Sequence, residues 1–430
     1  MKSIWQEVNF KKFSSLNNDI KTDVLIVGGG IAGVLTAYLL EKAGIDYVLV
    51  EQGRICEKTT SKTTAKITIQ NGLCYDKILK IFGNEFTSMY FNTNKYAFEQ
   101  LLALLNGIDC DFEVKDNYVY STKNRKDIEN EITALEKIGY KADFLETLSL
   151  PVNIKGAIRF KDQAQFHPLK FLSHISKNLN IYENTKVEEF APNIAYTSKG
   201  KIMAKNIIIA THFPIINKHG LFSLKLYQHR SYVVSLKNAP DFNGMYVDED
   251  LKGMSFRNYK NYLLLGGGGH RTGNSGGNYK ELYDFSKTHF SQCEIEHRWA
   301  TQDCISLDKI PYIGEYTKST SGLYVATGFN KWGIVSSMLA ALLLVDKILG
   351  NNNDYFYTVS PLRKSYAPSV MLNALNSSIN LLTPSTKRCP HLGCALKWNK
   401  AEHSWDCACH GSRFSETGKL LDNPACDDLK

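Results

Sequence analysis

The sequence predicts an α/β body, an α+β part set into that body, and a small separate module at the C-terminal end. Three observations carry this. An apolar strand, a run of glycines, an amphipathic helix and a second apolar strand follow one another over residues 23–51, the order of a βαβ unit of about 30 residues. Residues 227–300 hold strand-like segments such as Tyr262-Leu-Leu-Leu, which read as mixed or antiparallel sheet. Five of the ten cysteines, Cys389, Cys394, Cys407, Cys409 and Cys426, fall in the last 42 residues, a density expected of a metal or redox module attached to a larger body.

Composition bounds the rest. The 430 residues are 43% hydrophobic and 22% charged, which excludes disordered, collagen-like and membrane-spanning classes. At roughly 150 residues per domain, two or three domains are expected. The formal net charge of +8 is spread along the chain, with no Lys/Arg block of the kind that binds nucleic acid, so no nucleic-acid partner is expected. The N-terminal residues are polar and lack the apolar core of a secretory signal. The most apolar run, residues 334–345, is broken by Ser336 and Ser337 and is too short to span a bilayer. A cytoplasmic chain without a membrane span is the expectation. In that compartment structural disulfides are uncommon, and tail cysteines serve as metal ligands or redox groups.

The elements follow in order. After the βαβ unit, residues 75–105 and 125–139 read as helical, 155–160 as a strand, and 167–177 as a helix with Pro168 at an early position. Asn206-Ile-Ile-Ile-Ala210 is a short all-apolar strand, suited to a parallel sheet buried on both faces. Residues 324–350 read as strand, glycine turn and apolar helix. Residues 351–384 are polar and carry Pro361, Pro368 and Pro384, the signature of a linker wrapping back over the body. A compact module occupies 385–430.

Gly28-x-Gly30-x-x-Gly33 lies between a strand and a helix, the context that makes the motif a dinucleotide site. Gly28 allows the tight turn, Gly30 lets a pyrophosphate approach the backbone, and Gly33 lets the helix pack closely on the sheet. Glu51 ends the second strand, where its carboxylate can accept hydrogen bonds from a ribose diol. The motif alone does not separate NAD from FAD. A second glycine run, Gly266-Gly-Gly-Gly-His270, lacks the last glycine of the fingerprint in every register, so no NAD(P)H site is expected.

The glycine motif with Glu51 and Arg54, the loop Thr59-Thr-Ser-Lys-Thr-Thr-Ala-Lys66, and the late pair Pro311-Tyr-Ile-Gly314 and Gly328-Phe-Asn-Lys-Trp-Gly333 resemble the flavin amine-oxidoreductase family of D-amino-acid, glycine and sarcosine oxidases. The resemblance covers about residues 20–350. It implies an FAD-dependent oxidoreductase with a Rossmann-like FAD-binding part over about 20–75, 151–215 and 301–350, and an α+β substrate part over about 76–150 and 216–300. By the same resemblance Thr63, Thr64, Ala65 and Lys66 line the isoalloxazine, Val187 meets the adenine side, and Ala210 and Thr211 close over the nucleotide. Gly328, Lys331 and Gly333 open the late helix at the pyrimidine edge, where helix N–H groups and a cation suit the negative charge of a reduced ring. Lys66 and Lys331 are the candidate catalytic side chains; Arg257, His270, Arg271 and His167 read as structural.

The tail carries the most specific motif. Cys389-x-His391 and Cys407-x-x-His410 present two thiolates and two imidazoles on paired loops. A Rieske-type [2Fe–2S] centre takes such a set, two cysteines on one iron and two histidines on the other, while a structural zinc site also accepts Cys2His2. Residues 385–430, with the Leu392-Gly393 and Gly411-Ser412 turns around the ligands, resemble Rieske domains. The resemblance implies a small all-β domain, cluster ligation by Cys389, His391, Cys407 and His410, and a disulfide between Cys394 and Cys409. Where high-potential Rieske proteins carry Ser and Tyr hydroxyls toward the cluster sulfurs, this chain has Ser412 and Phe414, which implies a lower potential.

A two-electron cofactor and a one-electron centre on one chain imply that electrons are split. The expected function is hydride removal from a small amine or amino-acid-like substrate onto FAD, followed by single-electron passage through the cluster to a redox protein or other external acceptor. Flow in the reverse direction, from a carrier to a partner enzyme, and a non-catalytic redox sensor stay open at this stage.

Overall fold

The computed structural model describes residues 2–216, 219–250, 253–274, 276, 278–364 and 367–429. The first sheet runs in the order Tyr312–Glu315, Leu323–Thr327, Gly200–Ile209, Ile20–Val27, Tyr47–Val50, Ile181–Tyr182, with the hairpin Val187–Ala191 and Ile194–Thr197 attached to Gly200–Ile209. From Leu323–Thr327 to Ile181–Tyr182 the neighbours are parallel. Successive strand residues face opposite sides. Val24 and Ile26 therefore join the core under helices Ile31–Lys42 and Gly333–Leu349, while Leu25 and Val27 join the opposite core with Ile207, Ile209 and Tyr312. Burial on both faces explains why these strands read as unbroken apolar runs.

The second sheet runs Glu294–Ser306, Leu226–Lys237, Tyr262–Arg271, Ser255–Tyr259, Met245–Asp248, Glu113–Ser121, Gly156–Gln165, Lys66–Ile67, with Asp143–Leu145 also on Gly156–Gln165. It is antiparallel except where Met245–Asp248 pairs with Glu113–Ser121. This pairing corrects the expected division of the body. Lys66–Ile67, Gly156–Gln165 and the end of Glu294–Ser306 lie in the second sheet, inside the segments of about 20–75, 151–215 and 301–350 that the resemblance assigns to the nucleotide part. The helical stretch at 75–105 is two helices, Tyr75–Phe82 and Asn84–Leu105, separated by Gly83 at φ +83°.

Residues 351–384, expected as a linker wrapping back over the body, contain regular structure. They form the short helix Phe356–Val359 and the helix Ala367–Leu382. Pro368 sits in the first turn of the second helix, where its missing N–H costs nothing, so the prolines mark helix boundaries. Between the two, Arg363 is clamped in the body: its guanidinium meets Asp308 at 2.8 and 2.9 Å and donates to the carbonyls of Ile310 and Pro311.

The C-terminal sheet has four antiparallel strands, Leu396–Asn399, Ser404–Cys407, Arg413–Ser415 and Leu420–Asp422. Cross-strand pairs Trp398↔Trp405 and Trp405↔Phe414 hold the register. Arg413, almost fully buried, pairs with Asp406 at 3.0 Å, Asp422 at 2.9 Å and Glu402 at 3.2 Å, so a charge enclosed in so small a domain is fully matched.

Candidate active site and metal centre

At the C-terminal ends of the first sheet's parallel strands, the fold encloses a cavity of about 340 Å³, where ligands of open α/β sheets bind. Gly28, Gly30, Glu51, Arg54, Thr63, Thr64, Val187, Ala210 and Thr211 line it. Gly28 has φ +114°, and a Cβ there would lie 2.5 Å from the Ala210 carbonyl oxygen. A Cβ on Gly33 would lie 2.0 Å from the Gly28 carbonyl oxygen. Only glycines admit this approach of helix to strand. Helix Ile31–Lys42 opens on Gly30 with no acidic residue in its first turn; Thr60 Oγ1 accepts from the Ile31 N–H at 3.0 Å, which leaves the later N–H groups of the turn and the positive dipole end for a phosphate. Glu51 accepts from the N–H of Gly29 at 2.8 Å and of Gly53 at 2.9 Å. Burial raises its pKa, and those two bonds work against the rise. The Arg54 guanidinium stands 3.6 Å from Glu183, with a buried Nε that makes no hydrogen bond. The glycine cradle, the fixed carboxylate and the orphaned donor fit a dinucleotide such as FAD.

Lys66, Tyr232, Thr301, Asp303, Lys331 and Gly333 line it as well. Helix Gly333–Leu349 begins here, after Asn330 and Lys331, both at positive φ. The Asn330 side chain pins that turn by accepting from the Ser306 N–H at 2.8 Å and donating to the Gly328 carbonyl at 2.8 Å. Lys331 opens onto the cavity but is enclosed by protein, which lowers its pKa against the pull of Asp303. Burial pushes Asp303 up to about 6, opposed by Lys331 and Arg230. Lys66 donates to Thr64 Oγ1 at 3.3 Å, and burial with the Arg257 guanidinium behind it pushes its pKa down to about 7.

Three expected cofactor residues do not reach the cavity wall. Gly33 acts by helix packing. Ala65, fully buried at φ +55°, turns its carbonyl to Arg257 at 2.8 Å. Gly328 packs against Leu226 and Ser306. The four polar residues read as structural are engaged elsewhere: Arg257 with Gln165 and backbone carbonyls, His167 as the N-cap of Pro168–Ile175, His270 beside Tyr232, and Arg271 on the tail. Asp303 was legible only as part of its segment, because nothing in sequence brings it opposite Lys331.

In the tail, two loops repeat one turn. The Gly393 N–H donates to the Cys389 carbonyl and the Gly411 N–H to the Cys407 carbonyl, each at 2.9 Å, with both glycines at positive φ. Cys389 and Cys407 are buried, and Cys394 and Cys409 form a disulfide joining the loops, their Cα atoms 6.5 Å apart. The rings of His391 and His410 lie 5.0 Å apart. Burial pushes His391 down to about 4 and His410 to about 3, so both imidazoles are neutral, the form that a metal would require. His410 Nδ1 is buried without a hydrogen-bond partner, which fits a nitrogen available to a metal. Among the described residues, the ligand atoms that gather within 4.8 Å of one another are the sulfurs of Cys394, Cys407 and Cys409. The two cysteines and two histidines thus do not close on one point, as a tetrahedral zinc ion requires, and the arrangement fits a cluster spanning two irons.

The module closes against the cavity. Asp422, Asn423, Ala425 and Cys426 complete the cavity wall, which places the one cysteine the sequence left unexplained. Asn423 donates to the carbonyls of Thr211 at 2.6 Å and Phe213 at 2.8 Å. Gln302 donates to Gln228 Oε1 at 2.8 Å and to the Gly411 carbonyl at 2.9 Å, and accepts from Thr272 Oγ1 at 2.9 Å. Arg271 donates to the carbonyls of Ala408 at 3.2 Å and Cys409 at 3.0 Å. Arg230 and Glu402 form a bidentate buried ion pair. The Phe213 ring lies 6.2 Å from that of His410.

Comparison with known proteins agrees with both halves. The model of the family described as FAD dependent oxidoreductase (DAO) matches residues 23–347, and that of the Rieske [2Fe-2S] domain matches residues 380–430. A Bacillus subtilis (strain 168) protein, YhfW, named as a Rieske 2Fe-2S iron-sulfur protein, is 32% identical over 97% of this chain and 94% of its own length. Gamma-glutamylputrescine oxidoreductase of Escherichia coli (strain K12) is 22% identical over 80% of this chain and 87% of its own. Among solved structures, glycine oxidase from Geobacillus kaustophilus superposes with a TM-score of 0.67 at 19% identity, covering 81% of this chain and all of that one, a likeness of fold.

Proposed function

The chain belongs to the DAO family of FAD-dependent oxidoreductases and ends in a Rieske [2Fe–2S] domain, and from that premise we propose that it oxidises a small amine or amino acid and delivers the electrons singly, through the Rieske domain, to an external acceptor. The observation that carries this is the hydrogen bond from Gln302 to the Gly411 carbonyl. Gln302 belongs to the cavity wall and Gly411 to the loop of Cys407 and His410, so a direct hydrogen bond crosses the border between the two sites.

When bound, FAD supplies a two-electron hydride acceptor and the cluster a one-electron carrier. Gly28, Gly30, Glu51, Arg54 and Val187 would hold the nucleotide, and Cys389, His391, Cys407 and His410 the cluster. The chain's own groups meet the needs of the substrate. An amine is protonated in water and must shed that proton before its carbon can lose a hydride; Lys66, close to half neutral near pH 7, can receive it at Nζ. Asp303 offers the cavity a carboxylate for an ammonium group, and Lys331 a balancing cation. Loss of a hydride and a proton turns the amine into an imine, and the two electrons leave to two one-electron acceptors. The amine named in the E. coli relative supports this substrate class.

Anaerobic titration of the purified protein with primary and secondary amines and with amino acids tests the reading. The expected result is bleaching of the flavin absorbance together with the EPR signal of a reduced Rieske centre. Bleaching by neither class of compound would reject it.

A further inference from the structure

The two cluster loops face different surroundings. His410 is turned into the body, near Phe213 and with Gly411 held by Gln302. The His391 loop faces outward: Leu392 is 50% exposed. Beside it runs helix Ala367–Leu382, whose Asn373 is buried and donates to the Leu224 carbonyl at 3.0 Å. Its opposite side presents Met371, Leu372, Leu375, Ile379 and Leu382, each 55 to 80% exposed. Their spacing of one, three or four residues puts them on one face. That face is continuous with the ligand loop. The Ala395 N–H donates to the Asn380 carbonyl at 3.0 Å, and Arg388 reaches both the Leu381 and Gly393 carbonyls at 2.8 Å. An exposed apolar patch of this extent marks an interaction site.

Charge decides what it fits. Residues 355–401 contain Arg363, Lys364, Lys387, Arg388, Lys397 and Lys400 and no Asp or Glu. Arg363 is spent on Asp308, while Lys364, shortly before the helix in the chain, and Arg388, bonded to its C-terminal end, are exposed. We propose that the apolar face of helix 367–382, with Leu392 and Arg388, is the docking surface for the electron acceptor, a soluble one-electron carrier protein whose apolar contact patch is rimmed by acidic residues. Two copies of this chain meeting here would oppose like charges. A membrane-surface helix would carry Lys and Arg on its polar face, and residues 367–382 contain neither. The surface places the carrier next to the outward ligand, so electrons enter on the His410 side and leave on the His391 side. The proposal rests on the outward electron flow argued above.

The test loads the holoprotein with electrons from dithionite, removed before mixing, so that it does not depend on a substrate. Reoxidation of the cluster by acidic plastocyanin and by basic cytochrome c is followed by stopped flow. The expected result is at least tenfold faster reaction with plastocyanin at low salt, falling as salt rises. A Leu375→Asp/Ile379→Asp variant, and the milder Leu375→Ser/Ile379→Ser, should slow the plastocyanin reaction by tenfold or more while FAD absorbance and cluster EPR stay unchanged. Equal rates with both oxidants, or no effect of the variants, would overturn the proposal. So would flotation with phosphatidylglycerol vesicles, or a dimer in sedimentation velocity, that the variants abolish, since the face would then have another occupant. Failure of the substrate titration alone rejects the catalytic reading and leaves these rates to be judged on their own.

Discussion

Gln302 Nε2 donates to the carbonyl oxygen of Gly411 at 2.9 Å, joining a strand of the flavoprotein body to the loop that carries Cys407 and His410. The same amide donates to Gln228, which in turn donates to Asn423 of the tail at 2.7 Å. Replacing Gln302 with Leu leaves Thr272, Gln228 and Gly411 short of partners, at a cost of about 1–3 kcal/mol. The expected outcome in stopped flow is unchanged substrate-driven flavin bleaching, with cluster reduction delayed roughly tenfold.

Gly33→Ala places a Cβ 2.0 Å from the Gly28 carbonyl oxygen, a clash with backbone that only a shift of helix against strand relieves. The variant should purify with less than about a tenth of the wild-type flavin absorbance while retaining the cluster EPR signal. Normal flavin content would show that the glycine is not needed for close packing.

Arg230 and Glu402 pair across the border between body and tail, with side chains 3% and 9% exposed. Arg230→Met strands part of the Glu402 charge, although Arg413 still lies 3.2 Å away. A loss of about 3 kcal/mol is expected, at the lower end for a broken buried pair, read by urea denaturation of the holoprotein.

Lys66 has its pKa pushed down to about 7 in the folded chain, against about 10.4 when unfolded. Between these values the unfolded chain binds the extra proton, so stability rises with pH from 7 toward 10. Lys66→Met removes that slope. The variant should be more stable than wild type at pH 7, and the gap should narrow as pH approaches 10 in denaturation midpoints.

Much of this was legible in the sequence, and the exceptions have physical causes. The glycine fingerprint and the cysteine–histidine pairs are local, because turn geometry and ligand spacing are set within a few residues. The assignment of Gly156–Gln165 to the second sheet was not legible, since pairing partners are set by long-range register. Helix Ala367–Leu382 is hidden from sequence reasoning because prolines mark a helix end as well as a break, and its apolar residues face outward instead of into a core. Asp303 and Cys426 reach the cavity only through the docking of distant segments.

Phe414 is fully buried among Cys389, Cys407 and the disulfide. The Ser412 hydroxyl, which accepts from the Ala425 N–H at 2.9 Å, hydrogen-bonds the Cys389 sulfur. A Phe414→Tyr hydroxyl would add a second donor near the sulfurs, and protein-film voltammetry should show a raised cluster potential. An unchanged or lower potential would contradict this role for the position.

Freeze-quench EPR after anaerobic mixing with an amine or amino acid that bleaches the flavin tests the central claim most directly. The account requires flavin bleaching first, then growth of the reduced-cluster signal within the same turnover, and loss of that signal alone in Cys389→Ser. A flavin that is reduced while the cluster stays oxidised would contradict it.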